Sequence, residues 1–393
     1  MLLPRRNTVT QPKLGVIKLP KWSVQLSHFV NSVAISDDAA RVVAGTYFHN
    51  YNRGSGHSPN GTFGTYCYDS GGNQLWKDEF QGYEGVYSVG ISGDGKVAAA
   101  GGWFKNNKGL LRAYNAATGK NLLNYSAIPD RVSYLSLSSH GSVLAAASDQ
   151  IYVFTTSGQS FSSSPATIAF GNTPVPTSVV ALHSDGTWLA ACDQGGNVCL
   201  ATIQNGAIVN TYNWTPPQPV PFVSIAISRS GESFVVGGGD IVYLFTKNSM
   251  IQGNGPVAQY NTPNGGTKQD VRWVAISDDG TFVTAVENDG LAQTGLLHAL
   301  SYSNGNLIPA WQNPNALNYN PNSTSVDSAA KYITAADGYP ENAPGTFYLF
   351  DASSGNKLWD ASTDNMNWPM VISADGSGIT AGSDNGFLYY FQP

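Results

Sequence analysis

Charged side chains are scarce in this chain. Asp, Glu, Lys and Arg together make up 12% of its 393 residues, about half the share of an ordinary soluble domain. The 20 Lys and Arg are outnumbered by 26 Asp and Glu, and a net charge of −6 argues against a nucleic-acid backbone as partner. Three cysteines are too few for a disulfide framework, and a chain this long buries enough core to do without one. Cys192 and Cys199 flank an Asp-Gln-Gly-Gly-Asn-Val turn, where either a cross-strand disulfide or two buried thiols fits. No apolar run approaches the ~20 residues of a helical membrane span. The N-terminus MLLPRRNTVTQPK has two arginines but no apolar h-region. Low charge with abundant Asn, Ser, Thr and Tyr suits an extracellular or periplasmic surface, with an export signal already removed. There is no Gly-x-Ser-x-Gly elbow, no phosphate-cradling glycine loop and no EF-hand run.

What the chain has in quantity is glycine and aromatics: 43 Gly, 20 Tyr, 16 Phe and 9 Trp, a composition that suits all-β structure. They fall in a repeat. Met370 to Phe391 reads MVISADGSGITAGSDNGFLYYF, three short strands joined by two tight turns. The same sentence recurs, with the residue opening the inner turn at Ser36, Ser92, Ser138, His183, Ser228, Ser277, Val326 and Ser373. The spacings are 45 to 56 residues. Units of this size, four short strands each, predict an all-β, eight-bladed β-propeller, with seven blades the alternative count.

Within each inner strand, bulky residues one and three before the marker (Val33 and Ile35; Val274 and Ile276) alternate with small ones (Ala34, Ala275). The seventh copy, with Ser323 and Ser325, breaks the pattern. Outer strands carry an aromatic, among them Trp22, Trp76, Trp311 and Trp359, suited to cover the gap to the next blade. Pro20 to Ser23 is an outer strand with no inner strands before it, and the last unit lacks one, so the N-terminal strand is expected to complete the last blade. The chain then divides into a tail, 1–13, and a single propeller domain, 14–393. Its blades run at 27–80, 84–127, 130–171, 175–216, 220–262, 269–313, 321–362 and 366–393 plus 14–26.

The phrases Asp351-Ala-Ser-Ser-Gly-Asn-Lys-Leu-Trp359 and Tyr114-Asn-Ala-Ala-Thr-Gly-Lys resemble the repeat of PQQ-like propellers, and VAISDDGTFVTA resembles WD40-like repeats. The resemblance covers nearly the whole chain and speaks for architecture. The PQQ-like superfamily holds both quinone-dependent dehydrogenases and cofactor-free scaffolds. Its enzymes are longer, and many carry adjacent cysteines over the quinone, which Cys67, Cys192 and Cys199 do not provide.

One set of loops is irregular. It comprises Tyr47 to Phe63, Trp103 to Asn107, Glu287 to Gly295 and Asp337 to Gly345, which cluster on one face over blades six to two. Candidate ligand-binding residues there are Tyr47, His49, Tyr51, Arg53, Trp103, Phe104, Asp337, Tyr339, Asn367 and Trp368. Rings with amide neighbours suit a protein, peptide or glycan partner. His28, His49 and His57 match no metal spacing, and Glu287, Asp289, Asp337, Glu341 and Asp364 read as a solvated acidic rim, so neither metal nor cofactor is expected. Asn31, Tyr87, Arg131, Asp270, Arg272 and Asn367 enter the inner strands at the axial mouth. There Asp270 and Arg272, two apart on a strand, read as a salt bridge rather than an anion site. The sequence thus favours a non-catalytic binding or scaffold propeller. The alternative is a PQQ-like oxidoreductase with an axial quinone and calcium.

Overall fold

The computed structural model describes residues 16–47, 62–80, 83–104, 108–169, 178–263, 269–289, 294–339 and 344–393. Among these the chain is all-β, built of antiparallel meanders, with one short helix at Lys247–Ile251. Each meander begins with an inner strand: Phe29–Ile35, Tyr83–Ile91, Tyr134–Leu137, Ser178–Leu182, Phe222–Ile227, Gln269–Ile276, Pro321–Val326 and Asn367–Ile372. The first two meanders are joined into one sheet by a single bridge, Tyr47 opposite Gly85. The final meander has three strands of its own and takes its fourth from the N-terminal segment. Trp22–Gln25 lies antiparallel to Phe387–Phe391 with Trp22 opposite Tyr390, and the two rings stack 5.2 Å apart. Val16–Ile17 instead runs parallel to Lys357–Thr363 and widens the preceding sheet. The expected closing segment, 14–26, is thereby divided between two sheets.

The turn after six of these inner strands is a serine device, with His183 and an acid at the other two. The marker N–H donates to a carbonyl five residues on, as in Ser36 to Arg41 and Ser373 to Gly378. Its hydroxyl reaches the turn aspartate, as in Ser36 Oγ to Asp38 and Ser373 Oγ to Asp375. It also accepts the N–H opening the next strand, from Arg41 and Gly378 respectively. In the seventh unit the same bond runs from Asp327 to Tyr332. Ala330, at φ 51°, sits where Ala39 (φ 56°) sits in the first. The marker is therefore Asp327 and not Val326, one residue later than the sequence pattern suggests. Asp327 replaces the serine hydroxyl with a carboxylate that accepts from Lys331 N and Tyr332 N.

That shift explains the irregular serines. Counted from Asp327, Ser323 falls four residues before the marker, as do Ser32, Ser88 and Ser224. Each of these hydroxyls accepts an N–H from the inner strand of the next unit: Ser32 from Val89, Ser88 from Leu135, Ser224 from Val274 and Ser323 from Met370. Ser136 and Ser325, two before their markers, do the same for Leu182 and Ile372. Neighbouring inner strands are too splayed to form a backbone ladder, and these hydroxyls span the gap.

A second series of bonds links the turns. It runs from Asp37 N to Gly93 O, Asp94 N to Ser139 O, Ser139 N to Ser184 O and Ser184 Oγ to Arg229 O. It continues from Ser230 N to Asp278 O, Asp278 N to Ser328 O, Ser328 N to Ala374 O and Asp375 N to Asp37 O, returning to its start. The core is distributed between successive sheets. In one cluster Val33, Val42 and Tyr66 of the first sheet meet Leu388 and Tyr390 of the last. The outer tryptophans act as expected of bridging rings: Trp76 Nε1 donates to Ala116 O at 2.8 Å and Trp311 Nε1 to Ala352 O at 2.9 Å. Gly119 (φ +72°) and Gly355 (φ +71°) lie beneath those rings, where a Cβ would fall 2.8 Å from ring atoms. The D/N-x-x-x-G phrases that resemble PQQ-like repeats thus serve as turns seating the previous unit's tryptophan.

Cys192 and Cys199 are free and buried. The register pairs Cys192 with Val198 and Ala191 with Cys199. A one-residue offset puts the two thiols on opposite faces of the sheet, in different core clusters.

Candidate functional site

Six inner strands carry a register shift near the end remote from the serine turns. The shifts fall between Val30 and Ser32, Val86 and Ser88, Phe222 and Ser224, Val271 and Trp273, Pro321 and Ser323, and Asn367 and Met370. The extra residue in each is left out of the ladder, and such a bulge re-aims its side chain. The extra residues include Asn31, Tyr87, Val223, Arg272, Asn322 and Trp368. All six line one or both of two adjoining cavities, of about 380 Å³ and about 220 Å³, which share Tyr87, Ser133, Tyr134, Trp273, Asn322 and Trp368. The bulges thus collect side chains from units spread through the chain into one funnel.

The funnel has aromatic walls and a cationic side. Tyr134 and Trp273 come from the third and sixth units, and their ring centroids lie 6.3 Å apart. Tyr47 meets Tyr87 edge to face at 5.4 Å, and the Arg131 guanidinium lies 5.4 Å from the Tyr87 ring centre. Arg272 is held by Asp270 at 2.9 Å, and the other Asp270 oxygen accepts from Gly239 N at 3.1 Å in the neighbouring sheet. The expected salt bridge is present, and it fixes an arginine at the mouth. Trp368 is anchored by its indole N–H, which donates to Asp384 Oδ1 at 2.5 Å. Burial pushes the Asp384 carboxyl up to about 7, with the Trp368 bond acting in the opposite sense. Ser133 is 1% exposed, and its hydroxyl has no hydrogen-bond partner among the described residues.

Of the residues expected from sequence, Tyr47 and Trp368 line the funnel. His49, Tyr51 and Arg53 lie outside the described residues, and Trp103 and Phe104 are placed as strand backbone, opposite Gly85 and Tyr83. Tyr339 is half-buried beside the seventh unit. Asn367 is fully buried, its Oδ1 accepting from Thr363 Oγ1 at 2.7 Å and its carbonyl from Asn322. Asp337 is fully buried too, accepting from Tyr348 Oη at 2.7 Å, Thr346 N at 2.7 Å and Tyr319 N at 3.0 Å. Burial raises this carboxyl to about 6 against those bonds. Asn367 and Asp337 are therefore internal ties and not surface contacts.

The supposed acidic rim changes in the same way. Glu287 stands ten residues after Ser277, as Asp337 does after Asp327, and it is buried against His298 at 2.9 Å. Both positions face into the sheet, so neither acid belongs to a solvated rim. His28 accepts the Phe29 N–H on Nδ1 and packs on Phe29 and Phe63, and burial lowers its pKa. Among the described residues no three His, Cys, Asp or Glu side chains gather as a metal site would require.

Ser133, Tyr134 and Asn322 were not singled out by the sequence. Their signal was position: each lies four or five residues before a turn marker, as do Asn31, Tyr87, Arg272, Trp273 and Trp368.

No family model matches the chain, and no curated protein sequence does. Solved structures do. Sqt1 from Chaetomium thermophilum superposes with a TM-score of 0.68 at 14% identity, over 93% of this chain and 97% of that one. The same protein bound to the N-terminus of the ribosomal protein L10 gives 0.69 at 13%, over 93% and 97%. The β-propeller domain of Cps50 (Swd1) from Myceliophteria thermophila gives 0.58 at 12%, over 78% and 97%. These are WD40 β-propeller proteins, and at such identities the likeness is one of fold. This chain has a WD40-like β-propeller fold.

Proposed function

We propose that this chain is an eight-bladed, non-catalytic binding propeller. It takes a protein or peptide segment on the loop face over blades six to two, reaching into the axial funnel whose lining comes from every unit. Eight blades is the count that accounts for the returning series of turn-to-turn bonds. The observation that carries the binding reading is the set of bulges that turn Asn31, Tyr87, Arg272, Asn322 and Trp368 out of their ladders and into two adjoining cavities. A similar fold, Sqt1, is known bound to a protein N-terminus, which favours a peptide over a glycan. A quinone with calcium fits poorly: it needs a carboxylate beside the cofactor, and the described funnel lining contains none. An exported location, drawn from the low charge, is part of the proposal and is tested by cell fractionation.

The test is selection of binders from a random peptide display library, followed by titration against Trp368→Ala and Tyr87→Ala proteins. The expected result is a loss of at least about tenfold in affinity with melting little changed. Selected peptides that bind the variants as well as the parent protein would remove the funnel from consideration.

A further inference from the structure

We infer that the funnel recognises a carboxylate carried next to an aromatic or other flat apolar group on a peptide. This rests on the funnel being the binding site and says what it selects. Two guanidiniums, from Arg131 and Arg272, line the larger cavity, which has no carboxylate among its described lining residues. They converge from the third and sixth units. Burial pushes the Tyr134 phenol up, with Tyr87 and Cys192 adding to it, and Arg272 and Arg131 both act on it in the opposite sense. One point in the funnel is therefore within electrostatic reach of both cations.

The second observation is independent of charge. Ser133 is 1% exposed and lines both cavities, and its buried hydroxyl has no hydrogen-bond partner among the described residues. A buried hydroxyl left unpaired is unfavourable, and an acceptor from a ligand would satisfy it. An ionised carboxylate is acceptor-only, so it suits a hydroxyl donor beside two guanidinium forks. The faces of Tyr134, Trp273 and Trp368 supply apolar area for a neighbouring flat group. The geometry also explains why Asp270 is bound to Arg272 at 2.9 Å and to Gly239 N at 3.1 Å. A guanidinium clamped in this way presents its remaining N–H groups in a fixed direction without losing side-chain entropy on binding.

The overall charge of −6 makes this a local exception on an acidic protein. Capture therefore depends on the short-range forks and not on long-range steering.

The probe is N-acetyl-phenylalanine against N-acetyl-phenylalaninamide, which differ only in the carboxylate, titrated by ligand-observed NMR into the full chain. The acid is expected to bind about tenfold or more tightly than the amide, the preference expected of charge-assisted hydrogen bonds. Arg272→Gln and Arg131→Gln should each erase that preference, and Ser133→Ala should reduce it, with melting temperatures as controls. Arg272 is exposed, so its variant folds even if the others do not. Benzoate behaving like the acid at equal strength would move the assignment from peptides to small aromatic acids and overturn it. Equal binding of acid and amide, or none by either, also overturns it. Display-selected peptides that bind through Trp368 without any acidic preference would leave the binding function standing while this inference fails.

Discussion

Arg229 and Asp37 are 192 residues apart in the chain and form a two-pronged ion pair, both guanidinium amino groups engaging the two carboxylate oxygens. They come from the turns of the fifth and first units. The pair therefore joins the turns of two units that are not neighbours in the chain. A cavity of about 190 Å³ surrounds the pair at the serine-turn end. Arg229 also lies 3.4 Å from Ser139 Oγ and 3.9 Å from Asp278. The pair is a bolt between those two turns.

Replacing Arg229 with Gln should therefore cost some stability. Each partner is about one-third exposed, so the stability loss should be modest, about 1 kcal/mol by urea denaturation. Asp37→Asn should give a similar loss, and the double variant should cost clearly less than the sum. Additive losses would show that the bolt couples nothing.

The hydroxyl ladder should be more sensitive. Ser323→Ala leaves the buried Met370 N–H without its acceptor, and the expected cost is about 1–3 kcal/mol. Ser163→Ala, exposed at a bend between strands, is the control and should shift the urea midpoint little.

The closing strand makes a third prediction. Trp22 stacks on Tyr390 and donates its indole N–H to Ser70 O at 3.2 Å. Trp22→Ala should destabilise by roughly 2 kcal/mol, less than a fully buried tryptophan because the ring is half-exposed. Deleting residues 1–25 should uncover the Phe387–Phe391 edge and produce oligomers by size-exclusion chromatography. A monomeric, equally stable deletion product would show that closure contributes nothing.

Stability should also depend on pH through two raised carboxyls, Asp337 at about 6 and Asp384 at about 7. Below about pH 4 both are protonated folded and unfolded, and their stabilisation is complete. As pH rises from there the unfolded chain releases protons that the folded chain retains, so this contribution is lost through pH 6 and 7. The turn aspartates have the opposite sense. Asp69, held low mainly by Asn73, and Asp351, held low mainly by the Ser353 hydroxyl, add stability above about pH 4 that is lost on acidification. Urea melts from pH 5 to 8 should show a decline that Asp384→Asn flattens. Trp368 fluorescence should titrate near pH 7 in the parent protein only.

Much of the architecture was legible in the residues because its determinants are local. A turn needs Ser, Asp and Gly at fixed offsets, a strand alternates in period two, and an outer tryptophan needs a glycine beneath it in the next unit. Trp22 beside Tyr390 followed from counting strands. The one-residue error at Val326 arose where the turn used Asp327 in place of serine, so the usual hydroxyl signal was missing. Cys192 and Cys199 looked matched across a hairpin because loop length does not reveal which residues the ladder pairs.

The sequence by itself determined a repeating all-β chain whose ends meet, since each unit writes its own turns and edges. Only the tertiary structure decided which side chains share the axis. A bulge sends Tyr87, Arg272 and Trp368 inward, and its register depends on pairing with the next strand, not on the residue that it moves. The same dependence buried Asp337 and Glu287, and it brought Arg229 to Asp37, a pairing that no local pattern encodes.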